Sequence, residues 1–382
     1  LHRPFRGRTP SLRPAHCLRP VRLADASPMG RVLERHGEFT LPEAREIVRT
    51  GPTPSVSRHG AGEWDFIAEI RAAGVAGSGR GSGVLGIGDD AAVLAAPAGR
   101  VVATVDAMVD GVHFDLAFMT PEQVGWRATS AALSDLAAMG ARADAVLVSL
   151  AWDSFDGARA VTRGAMAAGQ EFDAAVVGGD TVAHHTRWVS VTALGSAAHG
   201  YVTRAGARVG DTVWVTGSCG GAARGLELLR EHGQHLGGDA ESSRFVGDPD
   251  AAHAVQRFLR PQPRLTEGQS ALDLGATAMV DVSDGLAHSL GLVASESQVG
   301  IVVDEVPVAP GAALGQALYG GEDFELVICF PATVDPSAQL PALRRVGVCV
   351  AELGVRWADT AAHAGTAGQM IDTRGYEHRW EQ

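Results

Sequence analysis

Acidic residues stand beside Gly or Ser at the ends of apolar runs along this chain. They are Asp89 and Asp90 in GIGDD, Asp106 and Asp110 in TVDAMVDGVHF, Asp135 in LSDLAAMG, Asp180 in GGDT, Asp281 and Asp284 in DVSDG, and Glu322 and Asp323 in GGEDFEL. Any one of these is ordinary turn chemistry. Six such motifs together support a different reading. Flanking glycines let backbone approach a ligand closely, and a strand fixes the aim of the acid at its end. If the acids converge, each close pair of bare carboxylates repels by roughly 4 kcal/mol at an effective dielectric of about 20. Cations among them, or strongly raised pKa values, make such a cluster tolerable. Oxygen-only clusters select hard ions, so Mg²⁺ is favoured over zinc, and Mg²⁺ prefers a few carboxylates together with substrate phosphates.

All 32 basic residues are Arg; the chain contains no Lys. A P-loop needs its Lys, and so does a protein-kinase ATP site. Schiff-base chemistry is excluded with them. A nucleotide triphosphate handled by this chain must be neutralised by metal ions and Arg. The four cysteines, Cys17, Cys219, Cys329 and Cys349, form no CxxC pair and indicate neither a zinc site nor an oxidising compartment. Cys329 and Cys349 lie in apolar, strand-like runs and are predicted to be small core residues.

The elements that must position the acids belong to a chain of 382 residues, a length that predicts two domains. Net charge is −12, unevenly spread: residues 1–60 carry +6 and the remainder −18. So acidic a body is a poor nucleic-acid binder. No apolar run is long enough to predict a membrane span. Residues 1–60, rich in Arg and Pro and without periodicity, are predicted to be a disordered extension or a start site placed too early, with Met29 a candidate start.

Organised chain is predicted from a short helix at 62–70, followed by a Gly/Ser-rich loop and a strand–turn–strand at 84–94. Arg100–Asp106 is predicted as a buried strand ending on an acid. Pro121 and Gly140 bracket a helix over 121–140. A strand at 144–152, a helix at 154–172, a turn at Gly178-Gly179-Asp180 and a strand at 188–194 follow. Beyond a boundary near Thr203–Asp211 come a strand at 211–217, helices at 221–232, 250–259 and 266–274, and strands at 277–281, 300–304, 324–330 and 345–351. The fold class is α+β (mixed α/β) in two layers. The predicted domains are 61–204 and 205–382.

GIGDDAAVL, DAMVDGVHF, LSDLAAMGA, VVGGDT, VTRAGARVGDTVWVTG, LRPQPRL, DVSDGL and GGEDFEL occur in one order. In that order, and over about residues 62–378, the chain resembles the thiamine-monophosphate kinase family, within the superfamily of aminoimidazole ribonucleotide synthetase. The resemblance implies two domains, each a sheet packed with helices. The first binds metal and ATP and pairs strands across a two-fold axis in a cytoplasmic homodimer. It implies transfer of the γ-phosphate of ATP to thiamine monophosphate with several Mg²⁺ ions. Asp90, Asp106, Asp135, Asp180, Asp281 and Asp284 fall on metal-ligand positions, as do Thr104 and Val105, the latter through its backbone carbonyl. Gly179, Arg204 and Ser283 fall at ATP; His113, Glu322 and Thr373 fall at the thiamine substrate. No covalent or acid–base residue is implied, since a phosphate nucleophile is already ionised.

Three features depart from the family pattern. Ala132 stands where Asn is common, Thr373 where an aromatic is common, and the segment from Val306 to Tyr319 is short. Another ATP-dependent enzyme of the superfamily is an alternative reading, as is a non-catalytic nucleotide-binding descendant. The lack of Lys argues against a selenophosphate synthetase, and the full acid set against loss of catalysis.

Overall fold

A computed structural model describes residues 69–70, 87, 92, 94, 99–232, 247–359 and 368–376. The extension at 1–60, Asp89 and Asp90 lie outside the described residues. Of the helix predicted at 62–70, Glu69 and Ile70 are described and helical. Of the strand–turn–strand at 84–94, Ile87, Ala92 and Leu94 are described, and none is in a strand.

Two sheets packed with helices form an α+β fold. The first sheet holds β1 (Arg100–Val109), β2 (Arg142–Trp152), β3 (Ala175–Ala183) and β4 (Trp188–Ala197) in the order β1-β4-β2-β3. Helix α1 (Pro121–Ala138) connects β1 to β2, and α2 (Phe155–Glu171) connects β2 to its parallel neighbour β3. Sequence sets the helix ends. Thr120 and Gln123 form a reciprocal capping box before Pro121, and Gly140, at φ +67°, turns the chain out of α1. The two helices meet through glycines. A Cβ on Gly125 would come within 1.9 Å of the Val161 carbonyl, and one on Gly164 within 1.8 Å of the Glu122 carbonyl.

Two predictions about this sheet are corrected. Gly178-Gly179-Asp180 is no turn: all three lie inside β3, paired with β2 across a register shift at Val146/Leu147. Gly179 is there because a Cβ would lie 1.8 Å from the Val148 carbonyl. Nor is β1 buried. It is an edge strand with one face turned outward, leaving Val101 61% and Val105 62% exposed.

The second sheet contains β5 (Thr212–Thr216), β6 (Ala278–Asp281), β7 (Gly300–Val303), β8 (Leu326–Phe330), β9 (Leu343–Val350) and β10 (Gly354–Trp357), ordered β10-β7-β9-β5-β8-β6. Its helices are α3 (Gly221–His232), α4 (Pro249–Leu259), α5 (Leu265–Asp273), α6 (Leu286–Ser297) and α7 (Leu314–Tyr319). Both faces of the sheet are covered, which is why LVICF in β8 is a continuous apolar run. Leu326, Ile328 and Phe330 join the core that also holds Leu133 and Leu136 of α1. Val327 and Cys329 join a second core with Leu290 and Val293 of α6. Cys329 and Cys349 are buried there as free thiols, as predicted.

Helix α3 borrows its cap. Asp323 accepts hydrogen bonds from Gly220 N at 2.6 Å and Ala222 N at 3.1 Å, and Arg257 Nη2 lies 3.5 Å away. Next to it Glu325, wholly buried, takes a bidentate pair from Arg264 at 2.7 and 2.8 Å, Arg257 at 2.9 Å and the Thr216 hydroxyl at 2.6 Å. Removing the cap strands two buried amides, while Arg257 keeps Glu325. Asp323→Ala is expected to lose about 3 kcal/mol of stability, checked as a drop in the urea unfolding free energy.

Candidate active site

Along β1, Thr104 and Asp106 face α1 while Val101 and Val105 face outward. Thr104 Oγ1 donates to Asp135 Oδ2 at 2.6 Å. Asp135 lies inside α1, within the helix predicted over 121–140. One residue earlier, Ser134 Oγ donates to Asp281 Oδ2 at 2.9 Å, joining α1 to the end of β6. Asp281 is held further by its carbonyl, which accepts from Ser289 Oγ at 2.7 Å.

These acids feel one another. Burial, followed by the charge of Asp135, pushes Asp106 up to about 6. Burial also raises Asp135, against the Thr104 hydrogen bond and the Arg204 charge, which lower it. Asp281 is pushed up to about 7 by burial, then by Asp135, with Asp106 and Asp284 adding to the rise and Ser134 opposing it. β1, α1, β6 and the loop after β6 thus bring four carboxylates to one locus. Among the described residues, no three acidic, His or Cys side chains stand close enough to hold a cation by themselves.

The loop bearing Asp284 is stitched to the loop bearing Glu322. Glu322 N donates to Ser283 O at 2.7 Å, Phe324 N to Val282 O at 3.0 Å, and Val282 N to Glu325 O at 2.7 Å. Close approach demands Gly321, at φ +72°, where a Cβ would lie 2.5 Å from Ser283 O. Glu322 itself is left-handed at φ +59°, and its Oε1 lies 2.5 Å from Arg127 Nη2 of α1. It also borders an open groove of about 460 Å³ between α3 and α7, lined by Leu226, Glu227, Arg230 and Gln316 among others.

Other predicted residues lie apart. Gly179 and Asp180 are exposed on β3, and Val105 turns its side chain away from the acids. Asp110 pairs with Arg187 at 2.8 Å. His113 Nδ1 accepts from Val109 N at 3.1 Å, folding the ring back on the turn after β1. Thr373 lies against α6: its carbonyl is 3.0 Å from His288 Nδ1, and a Cβ on Gly291 would approach Thr373 Cβ to 2.5 Å. Asp90 lies outside the described residues. Ser134 and Arg127 were missed by sequence reasoning. The signal for Arg127 was available, since a cation inside the apolar helical stretch VGWRATSAAL needs a partner if buried.

Residues 88–197 match the family of the AIR synthase related protein, N-terminal domain, and residues 208–360 match its C-terminal domain. Fold and site therefore define a two-domain protein of the AIR synthase related class. Thiamine-monophosphate kinase of Methanospirillum hungatei is 33% identical over 299 residues, 76% of this chain and 93% of that protein. The crystal structure of thiamine-monophosphate kinase from Stenotrophomonas maltophilia matches with a TM-score of 0.66 and 33% identity, over 78% of this chain and 96% of that one. The structure of AaThiL complexed with AMPPCP and TMP matches with a TM-score of 0.63 and 26% identity, over 86% of this chain and 100% of that one. The chain belongs to the thiamine-monophosphate kinase family.

Raised carboxylate pKa values have a definite sign in stability. Asp106 near 6 and Asp281 near 7 cost nothing while protonated, and the fold loses stability as pH rises from about 4 through 7. Asp135→Asn removes the charge that raises both and keeps an oxygen for Thr104. The variant is expected to exceed the parent in stability by roughly 1 kcal/mol at pH 7.5 in EDTA. The gain should shrink at pH 5, as read by thermal unfolding at the two pH values.

Proposed function

We propose that this chain phosphorylates thiamine monophosphate with ATP, giving thiamine diphosphate by direct, Mg²⁺-assisted transfer. The observation that carries this reading is the meeting of Asp106, Asp135, Asp281 and Asp284 from separate parts of the chain. Relatives named thiamine-monophosphate kinase support it. So does the AaThiL complex, whose AMPPCP is an ATP analogue.

The donor set fits Mg²⁺. It is all oxygen, and carboxylates raised by burial and by a neighbouring carboxylate's charge, as Asp106 and Asp281 are, gain most from a divalent cation. One or two carboxylates per ion suffice, because Mg²⁺ keeps waters and takes phosphate oxygens as ligands. Asp90, Thr104, Asp106, Asp135, Asp180, Asp281, Asp284 and the Val105 carbonyl would hold the ions. Bound Mg²⁺ supplies neutralisation of charge on the phosphate chain.

The remaining residues bind and orient. Arg204, whose charge already reaches Asp135, donates to the ATP phosphates with Ser283, and Gly179 lets backbone approach them. Glu322 faces the cationic half of the thiamine substrate. His113, with Nδ1 accepting from Val109 N, presents Nε2–H to the substrate phosphate, and Thr373 closes the far side. An oxygen of the substrate phosphate forms the new P–O bond as the bond from the γ-phosphorus to the bridging oxygen breaks, and ADP leaves with the electron pair. No proton must be removed from the nucleophile, so no general base is needed.

Expected is thiamine diphosphate, detected by mass spectrometry, from thiamine monophosphate, ATP and Mg²⁺. In Asp135→Asn that product should fall at least ~100-fold with the fold retained. Binding of both substrates without product would favour a non-catalytic nucleotide-binding protein instead.

A homodimer and a cytoplasmic location complete the proposal. The outward face of the first sheet leaves Val101, Val105 and Val182 at 61%, 62% and 47% exposure, and β1 is an edge strand among the described residues. A second copy covering this face removes both liabilities. Among the described residues no helix is long and apolar enough to cross a membrane, and the ATP requirement fits the cytoplasm. Sedimentation equilibrium should give a dimer for the parent and a monomer for the double variant Val101→Asp, Val105→Asp. A parent that sediments as a monomer would sink the dimer.

A further inference from the structure

Arg127 is fully buried in the middle of α1. Its Nη1 donates to the Phe258 carbonyl, its guanidinium lies 4.0 Å from the centre of the Phe258 ring, and its Nη2 reaches Glu322 Oε1 at 2.5 Å. Its Nε has no hydrogen-bond partner. Taking a guanidinium out of water is costly, and an apolar side chain of similar volume often serves stability as well or better. Packing alone does not account for an arginine here. Among the described residues its one charged partner is Glu322, whose side chain is 32% exposed.

Arg127 is itself fixed beside LRPQPRL, the motif that no part of the mechanism uses. Phe258, just before it, supplies the carbonyl and the ring. Trp126 Nε1 donates to Pro261 O at 3.2 Å, and the Arg260 guanidinium lies 5.0 Å from the centre of the Trp126 ring. Arg264 holds Glu325, three residues after Glu322, from below. Arg127 and Asp135 lie eight residues apart on one helix, roughly 12 Å at 1.5 Å per residue. The helix therefore sets the spacing between the Glu322 contact and the acid cluster.

We propose that Arg127 is the positioning residue for Glu322. It holds that carboxylate in one orientation toward the cationic half of the thiamine substrate and so sets the KM for thiamine monophosphate. This role rests on the proposed placement of the substrate at Glu322. A merely structural arginine would move stability, or both substrates alike.

Steady-state kinetics on full-length Arg127→Lys, Arg127→Met, Glu322→Gln and the Arg127→Lys/Glu322→Gln double variant test it, with melting temperatures alongside. A lysine cannot span the Phe258 carbonyl and Glu322 together. Either Arg127 variant should raise KM for thiamine monophosphate roughly tenfold, with KM for ATP and kcat within about twofold. Arg127→Met should keep or gain stability, because Glu322 is free to hydrate. Glu322→Gln should raise the same KM, and adding Arg127→Lys to it should change nothing further. Additive effects, equal rises in both KM values, or parental kinetics in the two Arg127 variants would overturn the role. Loss of folding in both Arg127 variants would overturn it as well, since a structural role alone then explains the residue. A parental KM in Glu322→Gln would remove substrate from Glu322, and this role with it, while thiamine diphosphate formation by the parent would still stand for the activity.

Discussion

Carboxylates repel one another, and out of bulk water the repulsion amounts to kilocalories per close pair. Asp135 is nonetheless held where its charge reaches both Asp106 and Asp281, and the charges of Asp106 and Asp284 reach Asp281 as well. Holding them demands stiffness, because flexible supports would let the acids drift apart into solvent. The stiffness comes from α1. Packed on the first sheet, it also borders the core that includes Leu326, Ile328 and Phe330 of the second. One helix thus carries Asp135, presents Ser134 to Asp281 and meets Thr104 from β1.

The same constraint orders the C-terminal half. Loops bearing Asp284 and Glu322 are bound backbone to backbone and include left-handed residues at Glu322 and Phe324. Such backbone persists only where its surroundings over-determine it. Those surroundings are Asp323 capping α3 and Glu325 held by two arginines. A chain without lysine places arginine at each of these joints, and the planar guanidinium suits carboxylates that accept two hydrogen bonds at once.

Phosphoryl transfer asks for positioning and charge stabilisation more than for covalent chemistry. Acids within reach of one another's charge, on a stiff helix and strands, suit that demand. The cost is a site that destabilises its own fold as pH rises, until charge of opposite sign enters it. Function here and stability in the empty state pull in opposite directions, as active sites commonly do.

Much of this was legible in the residues. Apolar runs and capping signals located most of the strands and helices, since periodicity and helix ends are local properties. Acid motifs in a fixed order marked the family and nominated Asp106, Asp135, Asp281 and Asp284, because the requirement for oxygen ligands is written in residue type. What local pattern cannot express is burial and distance. Gly178-Gly179-Asp180 has the composition of a turn, yet pairing with β2 makes it strand. Arg100–Asp106 is apolar enough for a core, yet it became an edge because of which strands lie beside it. Ser134 and Arg127 became site residues only when α1 met Asp281 and Glu322, 147 and 195 residues away in sequence. Residue types determined the chemistry available; chain topology decided which of those groups share one dielectric environment, and charge and pKa depend on that environment.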